Sequence, residues 1–422
     1  MDRFVITGPN RLEGTITAGG AKNAALPALA ATLLTDEPVT LDRVPEVRDV
    51  ATMRLLLGSL GVPSTIERGR VVTQPELGAA GGEAPYEQVK QMRASVLVLG
   101  PLLARRGRAR VSLPGGCAIG VRPIDQHLKA LEALGASIEL EHGDVVATAT
   151  ELRGARFAFT VPSVTGTENA MMAAVLARGT TRLEGCAREP EIVDLATMLR
   201  AMGARITGDG TSVIEIEGRD ALGGGHHRVV ADRIEAGTYL IGAAITAGDV
   251  TLADITPGIL DALLEKLTEV GATVEVGGDW IRVSRAGSLR AKDIVTAPHP
   301  GFPTDLQAQY LALMTQAEGV ATICETVFEN RFQHVAELAR MGAAIEIDGH
   351  LARTTGPRRL SGASVMATDL RASACLVLAA LVAEGETTVR RIYHLDRGYA
   401  SMERQLTHLG ARVARVPGPP HE

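Results

Sequence analysis

The sequence predicts an α/β protein of two pseudo-threefold domains, each made of three helix-strand repeats, and three observations carry that prediction. A signature of apolar residue, glycine and small residue recurs six times: Leu60-Gly61-Val62, Leu134-Gly135-Ala136, Met202-Gly203-Ala204, Val270-Gly271-Ala272, Met341-Gly342-Ala343 and Leu409-Gly410-Ala411. The glycines are 74, 68, 68, 71 and 68 residues apart, too far for a solenoid and suited to a supersecondary unit of helices and strands. Each unit also pairs a run too apolar for a surface helix with an amphipathic stretch and strand-like alternation. What all six units share belongs to the fold. A charged or reactive residue that one unit alone carries needs another reason.

The chain opens on Arg3-Phe4-Val5-Ile6-Thr7-Gly8, which alternates as a strand, and this N-terminal segment ends near Gly19-Gly20, a small pair suited to a hinge. The repeat grammar of helix, strand, helix, strand is loose in the first two units and clear in 168–206, 233–276 and 305–347. In the sixth unit, 368–381 reads as a buried helix capped by Thr368 or Asp369, and Glu384-Gly385-Glu386 stops it. Residues 387–392 then read as a strand, 397–409 as an amphipathic helix and 412–416 as a strand. The buried helices are rich in Ala and Gly, so three of them can pack in one interior with sheets toward solvent. The linker between the third and fourth units is expected near Val229 to Asp232.

A chain of 422 residues with 45% hydrophobic content has room for about two or three domains. Its net charge of −6 and 3% aromatic content give neither the basic face nor the stacking platforms of a nucleic-acid binder. The longest apolar stretch, around 372–383, falls short of the roughly 20 residues that span a bilayer. No membrane insertion is expected, and a start without the apolar core of a secretory signal predicts a cytoplasmic protein. The four cysteines, Cys117, Cys186, Cys324 and Cys375, lack Cys-x-x-Cys spacing, so neither metal nor disulfide framework is predicted. No phosphate-binding glycine loop of the common kinds occurs, and no cofactor is expected.

Three features exceed what the repeat requires. The second unit is interrupted by a glycine-rich loop, Leu113-Pro114-Gly115-Gly116-Cys117-Ala118-Ile119-Gly120-Val121-Arg122-Pro123, in which Cys117 is either a chance thiol in a turn or a reactive group near Arg122. Cys186, Cys324 and Cys375 sit in strand-like or apolar segments and read as structural. Next, Lys22-Asn23, Arg93, Glu168-Asn169, Arg233, Asp305 and Asp369-Leu370-Arg371 fall at or near the start of a unit's first helix. An acid there can simply be a cap, whereas Lys22, Arg93 and Arg371 oppose the helix dipole and call for an anion. Finally, Arg48, Arg122, Arg331 and Arg397 occupy second-helix positions. They are either ordinary surface arginines or, with Lys22 and Arg371, the surround of a strongly anionic ligand bearing phosphate or carboxylate.

At these residues the chain resembles the UDP-N-acetylglucosamine 1-carboxyvinyltransferase family of the enolpyruvyl transferase superfamily. The motifs in register are Gly20-Ala21-Lys22-Asn23-Ala24-Ala25-Leu26-Pro27, Met92-Arg93-Ala94-Ser95, Pro114-Gly115-Gly116-Cys117, Arg122-Pro123-Ile124-Asp125, Arg188-Glu189-Pro190-Glu191, Thr296-Ala297-Pro298-His299-Pro300, Phe302-Pro303-Thr304-Asp305, Phe328-Glu329-Asn330-Arg331-Phe332, Ala367-Thr368-Asp369-Leu370-Arg371 and Asp396-Arg397-Gly398. They run essentially end to end. The resemblance implies two inside-out α/β-barrel domains, one of residues 1–21 and 230–422 and one of 22–229, with a ligand cleft between them. It implies transfer of an enolpyruvyl group from phosphoenolpyruvate to the 3′-hydroxyl of UDP-N-acetylglucosamine with release of phosphate, the first committed step of peptidoglycan synthesis.

By the same resemblance, Cys117 is the acid that protonates the methylene carbon of phosphoenolpyruvate and can also form a covalent adduct. That thiol implies alkylation by fosfomycin. Asp305 is implied to bind and deprotonate the sugar hydroxyl, with Asn23 nearby. Lys22, Arg122 and Arg397 are implied to hold phosphate and carboxylate, with Arg331, Asp369, Leu370 and Arg371 in the same site. Arg93, Arg122, Pro123, Ile124, Asp125, Gln126, Ser163, Val164 and Val327 match positions that contact the UDP-sugar. The chain departs from common family forms at Thr160-Val161, Thr165-Gly166 and Val121, which bear on the uridine contacts. The rival readings are a 5-enolpyruvylshikimate-3-phosphate synthase-like transferase, a non-catalytic UDP-sugar-binding paralogue, and a cysteine hydrolase using His127 or His394.

Overall fold

The computed structural model describes residues 1–75, 83, 84, 86–89, 92–113 and 124–418; Cys117, Arg122 and Pro123 lie outside the described residues. The chain divides into two compact units. Among the described residues, the first contains 1–19 and 231–418, and the second contains 20–113 and 124–230.

The sixfold signature has a single local cause. All six glycines take positive φ, from 86° at Gly61 to 103° at Gly203. Each follows the second helix of its repeat, and the residue after it donates its N–H back over the last turn: Val62 to Leu57, Ala136 to Leu131, Ala204 to Leu199, Ala272 to Leu267, Ala343 to Leu338 and Ala411 to Leu406. This left-handed helix stop satisfies carbonyls the helix leaves open, and only glycine adopts it without a Cβ penalty.

In the first unit, Arg233–Ile245, Gln307–Met314 and Ala372–Val382 are helices buried along nearly their whole length and packed on one another. Three sheets accompany them. One orders Ser364–Met366, Gly385–Arg390, Arg3–Gly8 and Val413–Val416; another orders Thr273–Val276, Trp280–Ser284, Asp249–Ala253 and Glu13–Thr17. In the third, Leu289–Arg290 and Ile294–Val295 flank Ala317–Cys324, followed by Leu351–Gly356 and Ile345–Asp348. Phe4 and Ile6 alternate with half-buried neighbours, so Arg3–Gly8 turns one face to the core, as its period-two pattern predicts.

The second unit repeats the recipe. Lys22–Ala31, Leu99–Arg106 and Val164–Ala174 supply its buried helices. Its sheets centre on Val39–Asp42, Arg108–Ser112 and Thr180–Glu184, each joined by one parallel neighbour and a run of antiparallel strands. Small residues make close approach possible: Gly100 donates its N–H to Asn169 Oδ1 at 2.6 Å, and a Cβ at Gly100 would lie 2.3 Å from that oxygen. Among the described residues no helix is long and apolar enough to cross a membrane.

Three local expectations are corrected. Glu168 and Asn169 are not at a helix start but one turn inside Val164–Ala174, because Ser163 is the cap and accepts from Gly166 N–H at 3.1 Å. The first helix of the sixth repeat begins at Ala372, since the Asp369 carboxylate accepts both the Arg371 and Ala372 N–H groups at 2.8 Å and ends the approach there. The amphipathic stretch 397–409 is not one helix. A 3-10 segment, Ile392–Arg397, precedes a separate helix, Met402–His408, because Ser401 takes φ 52° and breaks the helical path.

Candidate functional site

In the first unit several candidate side chains gather at the starts of the buried helices. Asp305 lies in the 3-10 turn Thr304–Leu306 that leads into Gln307–Met314, and its Oδ1 accepts from Arg331 Nη2 at 2.6 Å. Its Oδ2 lies 3.6 Å from Arg371 Nε. Arg371 is buried at the start of the helix Ala372–Val382, where it meets Asp232 at 3.4 Å, the Gly398 carbonyl at 3.4 Å and the face of Tyr399 at 5.2 Å. The Tyr399 hydroxyl is held by Thr238 at 3.0 Å and Gln309 at 3.3 Å, which fixes the ring under the cation.

Asp232 has two tasks. Its Oδ1 caps the helix Arg233–Ile245 by accepting from Ile234 and Glu235 N–H, while its Oδ2 faces Arg371. Removing one partner of a buried ion pair leaves the other charge uncompensated, at a cost of about 3–5 kcal/mol. Asp232→Ala is therefore expected to lower unfolding free energy by that amount, plus about 1 kcal/mol for the cap. Asp232→Asn keeps the capping oxygen and loses only the charge. Urea denaturation of both separates the two contributions; equal stability of Asp232→Ala and wild type would dismiss the pair as a stabilising element.

Glu235, next along this helix, is pushed up to about 8, chiefly by burial and then by the Asp232 charge, against the pull of Arg371 and the Gly19 N–H. It is a neutral acid at neutral pH. An unfolded glutamate titrates near about 4.3, so between there and about 8 the folded chain holds a proton that the unfolded chain releases. Stability falls as pH rises through that window. Glu235→Gln mimics the neutral acid and is expected to gain stability relative to wild type on going from pH 5 to pH 8. Parallel denaturation curves at the two pH values check this, and an unchanged difference would contradict it.

Asp369, Arg397 and Arg331 share two histidine neighbours. His334 is fully buried and pushed down to about 4 by burial, with Arg331 adding to the effect and Asp369 opposing it. His394 is pushed down by burial and by the charges of Arg391 and Arg397, again against Asp369. Both imidazoles are thereby neutral beside a cationic cluster. Leu370 packs so closely on Gly398 that a Cβ there would meet its Cδ1 at 2.5 Å. Val327 sits on the turn beyond Ala317–Cys324, with its N–H held by Glu325.

In the second unit, Lys22 opens the helix Lys22–Ala31 and pairs with Asp49 at 3.3 Å, both buried, and Asn23 follows it. Arg93 opens the 3-10 segment Arg93–Val98. Ile124 precedes the helix Asp125–Ala133; Gln126 clamps Thr160 through both amide atoms, at 2.9 and 3.1 Å, and donates to Asp125. That bond and the Lys129 ammonium hold the Asp125 carboxyl below the usual range. Ser163 and Val164 begin the helix Val164–Ala174. Asn169 Nδ2 meets His127 Nδ1 at 3.1 Å, and His127 Nε2 meets the Thr165 hydroxyl at 3.1 Å. Both ring nitrogens of His127 are thus engaged within the unit, which removes the base that a cysteine hydrolase would need there.

The expectation that Lys22 and Arg371 need an external anion is modified, since Asp49 and the Asp232–Asp305 pair meet them internally. Sequence reasoning passed over Asp49, Asp232, Glu235, Glu325 and Tyr399. The spacing Asp232-x-x-Glu235 ahead of an apolar run is a capping signal that finds Asp232; nothing local points to Asp49 or Glu325. Among the described residues no cluster of His, Cys, Asp and Glu is disposed to hold a metal ion.

Comparison with known proteins gives this geometry its context. Residues 6–406 match the family described as EPSP synthase (3-phosphoshikimate 1-carboxyvinyltransferase). The chain is 57% identical over 418 residues to a UDP-N-acetylglucosamine 1-carboxyvinyltransferase of Solibacter usitatus, covering 99% of this chain and all of that one. It is 55% identical over 417 residues to the protein of the same name from Halorhodospira halophila, covering 99% and 100%. Among solved structures, the enolpyruvyl transferase NikO from Streptomyces tendae superposes with a TM-score of 0.89 at 27% identity, covering 99% of each chain. An EPSP synthase from Acinetobacter baumannii gives 0.75 at 19% over 99% of this chain and all of that one, a likeness of fold. The fold is that of the enolpyruvyl transferase superfamily. Within it, the chain belongs to the UDP-N-acetylglucosamine 1-carboxyvinyltransferase family.

Proposed function

We propose that this enzyme transfers the enolpyruvyl group of phosphoenolpyruvate to the 3′-hydroxyl of UDP-N-acetylglucosamine, releasing phosphate, as the first committed step of peptidoglycan synthesis. The observation that carries the reading is 57% identity spanning 99% of the chain with a protein of that named activity. Both substrates are anions of the cell interior, so the proposal includes work in the cytoplasm.

The chemistry assigned to the residues balances. A proton from Cys117 adds to the methylene carbon of phosphoenolpyruvate, making a methyl group and oxocarbenium character at the neighbouring carbon. The acceptor oxygen attacks that carbon as Asp305 takes the hydroxyl proton, giving a tetrahedral intermediate. Cleavage of its bond to phosphate and return of a methyl proton to the Cys117 thiolate restore the double bond and the acid, and the proton held by Asp305 leaves with the phosphate. Arg331 and Arg371 fix the orientation of the Asp305 carboxylate. Lys22, Arg122 and Arg397 serve the phosphate and carboxylate of the donor, with Asp369 beside them. An ammonium has three donors, so Asp49 can orient Lys22 while the same nitrogen meets an anion. Asn23, Arg93, Arg122, Pro123, Ile124, Asp125, Gln126, Ser163, Val164 and Val327 serve the UDP-sugar side, and Leu370 lies with Asp369 and Arg371 on the donor side. The Gln126–Thr160 clamp gives the 124–126 turn a fixed shape for that task.

The test is phosphate release from phosphoenolpyruvate with either UDP-N-acetylglucosamine or shikimate 3-phosphate as acceptor. Release that requires the UDP-sugar is expected. Release with shikimate 3-phosphate alone would move the chain to the other branch of the superfamily, and release with neither would make it a binding paralogue.

A further inference from the structure

Glu325 lies one residue beyond the strand Ala317–Cys324 and is 1% exposed. A carboxylate taken out of water must find donors, and four converge on this one. Its Oε1 accepts from the Thr296 hydroxyl at 2.9 Å, the Val327 N–H at 2.8 Å and the Phe328 N–H at 3.2 Å; its Oε2 accepts from the Thr304 hydroxyl at 2.8 Å. Two further bonds between Thr326 and Thr296, at 2.9 and 2.6 Å, close the turn around it.

The consequence lies one bond further on. A carboxylate can only accept and a guanidinium can only donate. The Thr304 hydroxyl between them therefore has one permitted orientation: it donates to Glu325 and accepts from Arg331 Nη1 at 2.7 Å. The same guanidinium gives Nη2 to Asp305 Oδ1 at 2.6 Å. Its other support is the ring of Phe328, 5.1 Å from the guanidinium carbon, on a residue whose N–H Glu325 holds. One buried carboxylate thus fixes Arg331 along two arms, and Arg331 fixes Asp305.

We infer that Glu325 is a positioning residue for Asp305, acting through the polarity of Thr304 and the seat of Phe328. The inference rests on the proposed role of Asp305 as the group that receives the acceptor's proton. Glu325→Gln keeps the shape and one oxygen for the N–H groups, but sets an amide donor against Thr304 and reverses that bond. Thr304→Val removes the hydroxyl at similar volume; Thr304→Ser retains it.

The experiment measures steady-state turnover of phosphoenolpyruvate and UDP-N-acetylglucosamine by wild type, the three single variants and the Glu325→Gln/Thr304→Val double, with thermal melting of each. Glu325→Gln and Thr304→Val are each expected to lose about tenfold to a hundredfold in kcat, with KM for phosphoenolpyruvate unchanged. The double is expected to be no worse than the poorer single, because both cut one chain of bonds. Thr304→Ser is expected to behave as wild type. Undiminished kcat in Glu325→Gln, or losses that multiply in the double, would overturn the inference. Should Glu325→Gln fail to fold, Thr304→Val against Thr304→Ser decides, and equal activity of those two is the overturning result. A wild type without turnover would instead overturn the proposed reaction; the Arg331 side-chain N–H resonances, expected to shift in Glu325→Gln and Thr304→Val and to stay in place in Thr304→Ser, then decide the positioning role by themselves, and resonances unmoved in all three overturn it.

Discussion

Asp305→Asn is expected to lower kcat by about 10²–10⁴-fold, the usual worth of a positioned general base, and to leave the protein folded. Asparagine matches aspartate in size, so the loss is chemical. The amide cannot take a proton. Its NH2, whichever way it is turned, also faces a guanidinium, because Arg331 and Arg371 approach the two carboxylate oxygens separately, at 2.6 and 3.6 Å. Both cations keep other supports: Thr304 and Phe328 for Arg331, Asp232 and Tyr399 for Arg371. KM for phosphoenolpyruvate is expected to change little, since the donor's charges are assigned to other residues. Turnover and melting measured together check this, and an unreduced kcat in a folded variant would remove Asp305 from the chemistry.

Cys117→Ala is expected to abolish multiple turnover, because no other group is assigned to deliver a proton to the methylene carbon. An ordinary thiol titrates near about 8.5, so at neutral pH it is largely protonated and fit to be an acid, with thiolate available as a nucleophile. Cys117→Asp restores an acid without sulfur. It is expected to turn over yet resist alkylation by fosfomycin, whereas wild type gains the adduct on the Cys117 peptide. Burial pushes Cys186 up to about 12 and Cys375 well above its ordinary value, so neither offers thiolate to compete. Peptide mass spectrometry after fosfomycin treatment reads this out; an adduct on Cys186 or Cys375 in place of Cys117 would refute the assignment.

The repeat was legible because its cause is local. A helix stop at φ between 86° and 103° favours glycine, which has no Cβ to crowd the turn, and six such stops print one signature along the chain. The apolar helices were legible for a related reason: a run such as 372–381 has no polar face to show to water. The start of the helix Val164–Ala174 was less legible: Ser163 caps it, which places Glu168 and Asn169 one turn in. The partners of the charged residues were not legible, because they arrive from far along the chain. Asp232 meets Arg371 across 139 positions, and Asp49 meets Lys22 across 27. A sequence shows that a cation opposes its helix dipole; it does not show which carboxylate the fold brings to meet it.

The strand Arg3–Gly8 has a consequence for how the protein is made. It is paired on one side with Gly385–Arg390 and on the other with Val413–Val416. The ribosome therefore releases this strand long before either partner exists. Domains ordinarily fold in the order of their synthesis, but the unit that contains this strand cannot be completed until Gly385–Arg390 and Val413–Val416 are made, after the described residues of the other unit, 20–113 and 124–230, have left the ribosome. During that interval an alternating apolar strand waits with both edges unpaired, the kind of segment that chaperones cover and that recruits other chains when left bare. Substitutions in Arg3–Gly8 are therefore expected to act on solubility during synthesis as well as on the stability of the finished sheet.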